Sequence, residues 1–159
     1  MNRKQTLNIA NGGMIAALYV VLTFLANAVG LASGEIQVRI SEGLCLLPCL
    51  MSSAVPGLTI GCLLANILTG CVPLDIVFGT LATLIATIGS YLLRDHDWLV
   101  PLPPVIANAI IVGGMLHFAY GVPGLWACMG WVGLGELIAC YVIGLPLLKF
   151  LKKYKHVFE

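Results

Sequence analysis

Long apolar runs, separated by short polar or proline-containing breaks, dominate this chain. In hydrocarbon every backbone amide must be paired within the protein, and a helix that spans the bilayer needs about 20 apolar residues. The runs therefore predict six helices. Their approximate bounds are residues 9–32, 40–52, 56–69, 74–93, 104–120 and 123–151. We expect one integral membrane domain over residues 1–159, an all-α compact bundle of six transmembrane helices.

Composition supports the bilayer as the solvent. Hydrophobic residues make up 60% of the chain and charged residues 9%, whereas roughly a quarter of a soluble domain is charged. Eight basic and seven acidic residues leave a net charge of +1, without the concentrated basic patch of a nucleic-acid surface. The six cysteines lie in apolar runs and form no CxxC motif, so we interpret them as small hydrophobic residues. No metal site and no cofactor bound by this chain are expected.

The basic residues predict an orientation, because Lys and Arg near helix ends mark the cytoplasmic side. Arg3 and Lys4 precede the first helix, Arg94 follows the fourth, and four lysines lie within residues 149–155. With six spans these ends share one side. We expect a multi-pass protein of the cell membrane with both termini in the cytoplasm. Arg39 falls on the outer side, next to acidic neighbours.

In this orientation most polar residues of the spans lie in the outer half, and only Asn108 lies nearer the inner side. An intramembrane carboxylate costs about 2.5–3.5 kcal/mol and usually marks a ligand or ion path. Glu136, about halfway along the last helix, is the clearest case, although pairing with a neighbour is the structural alternative. Arg39 and Glu42 are three residues apart and can pair, so a structural and a functional role remain equally open for them.

Other candidates also have structural alternatives. Asp75 opens the fourth helix, where a carboxylate caps the helix or faces its dipole. Trp126 and Trp131 lie near the outer end of the last helix. They are either residues of the aromatic belt at the membrane interface or faces on which a heterocycle stacks. The same two roles are open for Phe78. His117 is a ligand or a hydrogen-bonded packing residue.

Small residues at the start of the first helix suggest close helix packing. Gly12, Gly13, Ala16 and Ala17 form two overlapping small-xxx-small pairs, which let another helix approach. Docking of a partner and packing inside the bundle, as assumed for residues 57–61, are both compatible with them. The sequence has no GxxxxGK[ST], HExxH or GxSxG motif, so we expect no enzyme, and an active transporter of this kind would need a partner as its energy source.

Several segments resemble the QueT family. They are residues 34–44 (GEIQVRISEGL), 54–58 (AVPGL), 61–66 (GCLLAN), 74–83 (LDIVFGTLAT), 103–109 (PPVIANA) and 133–136 (GLGE). Members of that family are substrate-binding S components of energy-coupling-factor (ECF) importers, associated with salvage of queuosine precursors. The resemblance implies a six-helix fold with an outward-facing site under the loop that joins the first two helices. It also implies that the first helix docks onto a membrane coupling subunit. Two further subunits, which hydrolyse ATP, drive that coupling subunit.

The implied substrate is queuine, queuosine or another 7-deazaguanine. Its guanine-like edge presents N–H donors that a carboxylate accepts, and its flat ring stacks on aromatic residues. Either Glu136 or Asp75 would read that edge, and Phe78 or Trp126 would stack. Asn66, Asn108 and Gln37 would add hydrogen bonds, and Arg39 and Glu42 would anchor the gating loop. Two alternatives stay open, a membrane scaffold subunit without a small ligand and a stand-alone proton-coupled carrier.

Overall fold

The computed structural model describes residues 2–30 and 39–154. Within these ranges the protein consists of helices and connecting turns, which confirms the all-α prediction. Their bounds are α1 Arg3–Ala28, a 3₁₀-helix Ile40–Cys49, α2 Ala54–Leu68, α3 Pro73–Leu92, α4 Leu102–Phe118 and α5 Leu125–Lys152. The stretch Ile138–Gly144 of α5 is π-helical.

Three of these helices, α1, α3 and α5, are long and apolar enough to cross a membrane, whereas the other three are shorter apolar helices. The structure thus contains helices where the apolar runs predicted them. The crossing of the membrane by all six remains a prediction.

Helix α1 begins at Arg3, upstream of the predicted start near residue 9. The extra turns are polar, and the side chain of Gln5 accepts a hydrogen bond from the backbone N–H of Asn2 at 3.2 Å. That bond satisfies one of the amides that a helix start leaves unpaired. A search for apolar residues misses such a turn.

The segment predicted as a short second helix is a 3₁₀-helix of 10 residues, longer than the few residues usual for this geometry. Pro48 lies inside it and lacks the N–H that an α-helix would use. Its residues are largely buried. Leu44 and Leu47 pack in one core cluster with residues of α1 and α2, while Leu46 belongs to a second cluster with α5. The 3₁₀-helix therefore runs through the interior of the bundle and connects its two cores.

Glycines set the closest helix approaches. A Cβ placed on Gly57 of α2 would lie 2.6 Å from the carbonyl oxygen of Gly12 in α1, and one on Gly61 would lie 3.0 Å from the backbone of Ala16. A Cβ on Gly144 of α5 would lie 2.7 Å from the carbonyl oxygen of Gly43. This last contact joins the π-helical stretch to the 3₁₀-helix, directly beside the acidic residues described below.

Candidate functional site

A cavity of about 400 Å³ lies between α4 and α5, within the size range of small-molecule sites. Arg39, from the segment before the 3₁₀-helix, contributes to its wall. The other lining residues are Asn108, Val112 and Leu116 of α4, Val122 and Pro123 of the connecting loop, and Ala127, Cys128, Trp131, Val132 and Glu136 of α5. An apolar cavity with a few polar groups is the common form of a ligand site.

Glu136 is the acidic group of the cavity, and only 6% of its surface is exposed. Among the described residues, the single hydrogen-bond donor to its carboxylate is the thiol of Cys140, with Sγ 3.8 Å from Oε2. Glu136 also interacts electrostatically with Glu42 and Arg39. Because a thiol is a weak donor, this carboxylate keeps most of its hydrogen-bonding capacity for a ligand.

Asn108 provides a neutral polar group opposite Glu136. It is buried in α4, and its Nδ2 donates to the carbonyl oxygen of Pro104 at 3.2 Å. An asparagine amide has two N–H groups and a carbonyl acceptor. One N–H is used within the helix, so the remaining N–H and the carbonyl can serve a molecule in the cavity.

The two tryptophans at the start of α5 lie in different surroundings. Trp131 lines the cavity, whereas Trp126 is 82% exposed and does not. An indole that faces away from the protein is typical of the membrane interface. Trp131 therefore offers the aromatic wall of the cavity.

Glu42 is 1% exposed and lies outside the cavity lining, deeper in the bundle. Its Oε1 accepts a hydrogen bond from the hydroxyl of Tyr19, and its Oε2 accepts one from the thiol of Cys45, with Sγ 3.0 Å away. The sequence suggested that Arg39 and Glu42 can pair. They form no salt bridge, because no side-chain nitrogen of Arg39 lies within 4.0 Å of a carboxylate oxygen of Glu42. Glu42 instead joins the 3₁₀-helix to α1.

Asn66, Asp75 and Phe78 do not line the cavity; they lie where α2 meets α3. The Nδ2 of Asn66 is 3.5 Å from both the Sγ of Cys62 and the carbonyl oxygen of Asp75. Partial burial and the neighbouring carboxylate of Asp75 raise the pKa of Tyr120, which follows α4. Phe78 is 39% exposed on the surface of α3. Asn66 and the backbone of Asp75 thus connect α2 to α3.

His117 supports the rim of the cavity. Its Nδ1 lies 2.8 Å from the carbonyl oxygen of Val122, a lining residue of the loop between α4 and α5. Gly121 and Gly124 of this loop have φ values of 69° and 84°, which favour glycine. His117 therefore positions the loop and does not itself line the cavity. Gln37, a further predicted ligand residue, lies outside the described residues.

The four small residues of α1 divide between two faces. Gly12 and Ala16 pack against α2. Gly13 and Ala17 are exposed, and no neighbouring heavy atom lies within 4 Å of a Cβ built on Gly13. One small-xxx-small pair thus serves packing within the bundle, and the other is left on its surface.

Several residues of the site were not predicted from the sequence. Val112, Leu116 and Val132 form apolar walls, and nothing in an apolar run distinguishes such residues from those that face lipid. Tyr19 had a detectable signal, since it is a polar aromatic residue in the middle of an apolar helix and is 1% exposed.

Three apolar helices of spanning length, together with a cavity that contains a buried carboxylate and a guanidinium, are the features expected of a membrane protein with a small-molecule site. The model of the family described as "QueT transporter" matches residues 9–153. The chain therefore belongs to the QueT transporter family, as its motifs predicted.

A curated relative, "Queuosine precursor transporter QueT" of Lactococcus lactis subsp. cremoris (strain MG1363), is 33% identical over 96 residues. The match covers 60% of this chain and 56% of the relative, so the chain matches little more than half the length of that protein. No solved structure matches the chain.

Proposed function

We propose that this protein is the substrate-capturing S component of an ECF-type importer and binds a 7-deazaguanine of queuosine salvage in the cavity between α4 and α5. Membership of the QueT transporter family and the printed name of the Lactococcus relative support the substrate class. The observation that carries the assignment of the site is the buried carboxylate of Glu136, which faces the cavity with only a thiol as its hydrogen-bond donor in the described structure.

The chemistry of the ligand fits these groups. A guanine-like edge presents two N–H donors side by side, and one carboxylate accepts both in a charge-assisted pair. Glu136 would read this edge, Asn108 would add a directional hydrogen bond, and Trp131 would stack on the ring. Of the two carboxylates that the sequence suggested, the proposal takes Glu136, because Asp75 lies outside the cavity lining.

The exposed pair Gly13 and Ala17 is the surface that we assign to the coupling subunit. The sequence contains no loop for binding ATP, so two partner ATPases would hydrolyse it, and this chain would bind no cofactor itself. If the chain crosses the membrane six times with both termini in the cytoplasm, the N-terminal end of α1 lies on the cytoplasmic side, where the ATPases would be. The basic residues at the start of α1 and at the end of α5 support that orientation.

Titration of the detergent-purified protein with queuine tests the site. Replacing Glu136 by Gln keeps the size but substitutes one acceptor by a donor. Since a hydrogen bond to a charged group is worth about 1.5–3 kcal/mol, the Kd is expected to rise roughly 10- to 100-fold. The matched control is Asp75→Asn, which removes an acidic group outside the cavity and should leave the Kd unchanged. Loss of affinity in the Asp75 variant alone would refute the assignment.

Uptake measurements test the importer class. Vesicles that contain the coupling subunit and both ATPases should accumulate queuine only with ATP, and Gly13→Leu should lower both uptake and co-purification with the coupling subunit while ligand affinity is retained. Uptake by this chain alone, driven by a proton gradient, would support a stand-alone carrier. If no deazapurine stabilises the protein in a thermal-shift screen, the scaffold alternative is favoured.

A further inference from the structure

A second cavity, of about 440 Å³, lies between α3 and α4. From α3 and its C-cap it is lined by Ile85, Gly89 and Leu93, which are spaced four residues apart and so share one helix face. From α4 it is lined by residues within the range 102–111. None of its lining residues belongs to the cavity between α4 and α5. We call this feature the α3–α4 groove.

The chemistry of the α3–α4 groove fits a hydrocarbon chain. All of its described lining residues are apolar, and a polar ligand would lose its hydrogen bonds to water there without replacement. The floor is narrow, because a Cβ on Gly89 would lie 2.5 Å from the Cβ of Pro103. The rim is exposed, with Ile85, Ile106 and Ile110 at 47%, 48% and 56%. The groove therefore opens sideways, towards the hydrocarbon that surrounds a membrane protein.

The length of the α3–α4 groove matches one leaflet of a bilayer. From Leu93 back to Ile85 it covers eight helical positions, or about 12 Å at a rise of about 1.5 Å per residue. The hydrocarbon core is about 30 Å thick, so one leaflet is about 15 Å deep. A partner helix that crosses the membrane is expected to contact both leaflets, whereas an acyl chain occupies one. The length therefore favours a lipid chain as the occupant.

A guanidinium without an acidic partner lies at one end of the α3–α4 groove. Arg94 directly follows the lining residue Leu93 and is exposed. Its Nη1 donates to the carbonyl oxygen of Tyr91 at 3.4 Å, and its Cζ lies 4.6 Å from the centre of the Tyr91 ring. Among the described residues no carboxylate forms a salt bridge with Arg94. Because a guanidinium has five N–H donors, most of them are left for an anion such as a phosphate.

The surroundings of Arg94 carry a positive net charge. The turn after α3 contacts the end of α5, where Lys152 pairs with Asp97 and the ammonium of Lys149 lies 4.3 Å from the centre of the Trp98 ring. Residues 94–98 and 149–153 together contain four lysines and arginines and two aspartates. A net positive charge at the end of an apolar groove complements a negatively charged lipid headgroup.

The N-terminus of α4, at the same end of the groove, offers no free amide for that headgroup. The N–H of Leu102 donates to the carbonyl oxygen of Leu99 at 3.0 Å. The next two residues, Pro103 and Pro104, have no N–H. The N–H of Val105 donates to the carbonyl oxygen of Pro101. Arg94 is therefore the donor beside the groove that is suited to a phosphate.

We propose that the α3–α4 groove binds one acyl chain of an anionic phospholipid whose headgroup phosphate pairs with Arg94. The apolar walls hold the chain, and the guanidinium selects the negative headgroup. Basic residues at this end of the bundle are those that predict the cytoplasmic side, and in that orientation the lipid belongs to the inner leaflet. The site is separate from the cavity between α4 and α5 and does not depend on the ligand of that cavity.

Native mass spectrometry of the detergent-purified protein tests the headgroup. The protein is incubated with equal amounts of phosphatidylglycerol and phosphatidylcholine that carry the same acyl chains. The first lipid bound should be phosphatidylglycerol, with a roughly fivefold preference, as one basic residue near an anionic headgroup contributes. Arg94→Gln should remove most of this preference, whereas Arg3→Gln, which removes the same charge at the start of α1, should retain it. Equal binding of both lipids by the unmodified protein, or a preference that survives in Arg94→Gln, would overturn the proposal.

A second pair of variants tests the groove itself. Ile85→Trp enlarges a residue of the rim and should weaken binding of both lipids several-fold. Ile88→Trp is the matched control, because Ile88 is also on α3 and 44% exposed but does not line the groove, and it should bind lipid as the unmodified protein does. Both positions are exposed, where substitutions change stability little. Unchanged lipid binding in Ile85→Trp would exclude the groove as the site. If that variant instead loses a partner protein while lipid binding persists, the groove is a protein contact and the proposal is wrong.

Discussion

The crossing of α1 and α2 allows a sharp test of the helix arrangement through Gly57→Ala. A methyl group on Gly57 would lie 2.6 Å from the carbonyl oxygen of Gly12 and 3.0 Å from its Cα. Both are backbone atoms, which cannot rotate away as a side chain does. The substitution must therefore push the two helices apart along a contact where Leu58 and Cys62 are fully buried.

The expected cost follows from two opposing terms. Overpacking a close contact costs about 1–3 kcal/mol, whereas Ala in place of Gly inside a helix returns up to about 1 kcal/mol. Because whole helices must shift, we expect a net loss of about 1–2 kcal/mol in the free energy of unfolding. For a chain of this length 1 kcal/mol corresponds to about 2–4 °C, so Tm should fall by roughly 2–8 °C.

Thermal unfolding in detergent, followed by circular dichroism, measures this change. Gly13→Ala is the matched control, because Gly13 lies next to Gly12 in α1 but a methyl group added to it would have no neighbouring heavy atom within 4 Å. Its Tm should stay the same or rise slightly. Equal losses in both variants would refute the reasoning, since adjacent residues differ by about 100° around a helix, and α1 would then present another face to α2.

Two further variants test individual contacts. Tyr19→Phe removes the hydroxyl that donates to the buried Glu42. Because leaving such an acceptor unsatisfied costs about 1–3 kcal/mol, the Tm should fall, and an unchanged Tm would argue against this bond. Lys152→Ala breaks the pair with Asp97, whose side chains are 32% and 33% exposed. Exposed ion pairs contribute about 0–1 kcal/mol, so unfolding should change little, and a loss of several kcal/mol would indicate a role beyond this pair.

The helices were largely predictable from the sequence because the physical rule is simple. Apolar runs must be helical in hydrocarbon, and proline and glycine interrupt them. The break expected between residues 69 and 74 is present, with Pro73 as the first residue of α3, and the turn at Gly121 and Gly124 separates α4 from α5. The polar turn before residue 9 in α1 escaped this rule.

The faces of the helices were much harder to predict. In a soluble protein hydrophobicity distinguishes the buried face, but in a bilayer the lipid-facing residues are apolar as well. Trp126 and Trp131 are the same residue type five positions apart, yet only Trp131 lines the cavity. The two pairs Gly12–Ala16 and Gly13–Ala17 have identical spacing, yet only the first packs against α2. Such choices depend on the rotation of each helix, which neither composition nor spacing determines.

The placement of the two buried carboxylates depends on irregular helix geometry. Glu42 lies on a 3₁₀-helix and Glu136 lies just before the π-helical stretch of α5. The two irregular elements meet at Gly43 and Gly144, where a Cβ would approach within 3.0 Å of opposing backbone oxygens. π-helical stretches often occur at functional sites, where they change the residue facing a neighbour. A regular α-helix through this stretch would turn Gly144 away from Gly43 and so alter the contact between the two elements that carry Glu42 and Glu136. The positions of these carboxylates around the cavity therefore depend on backbone geometry that apolar periodicity does not encode.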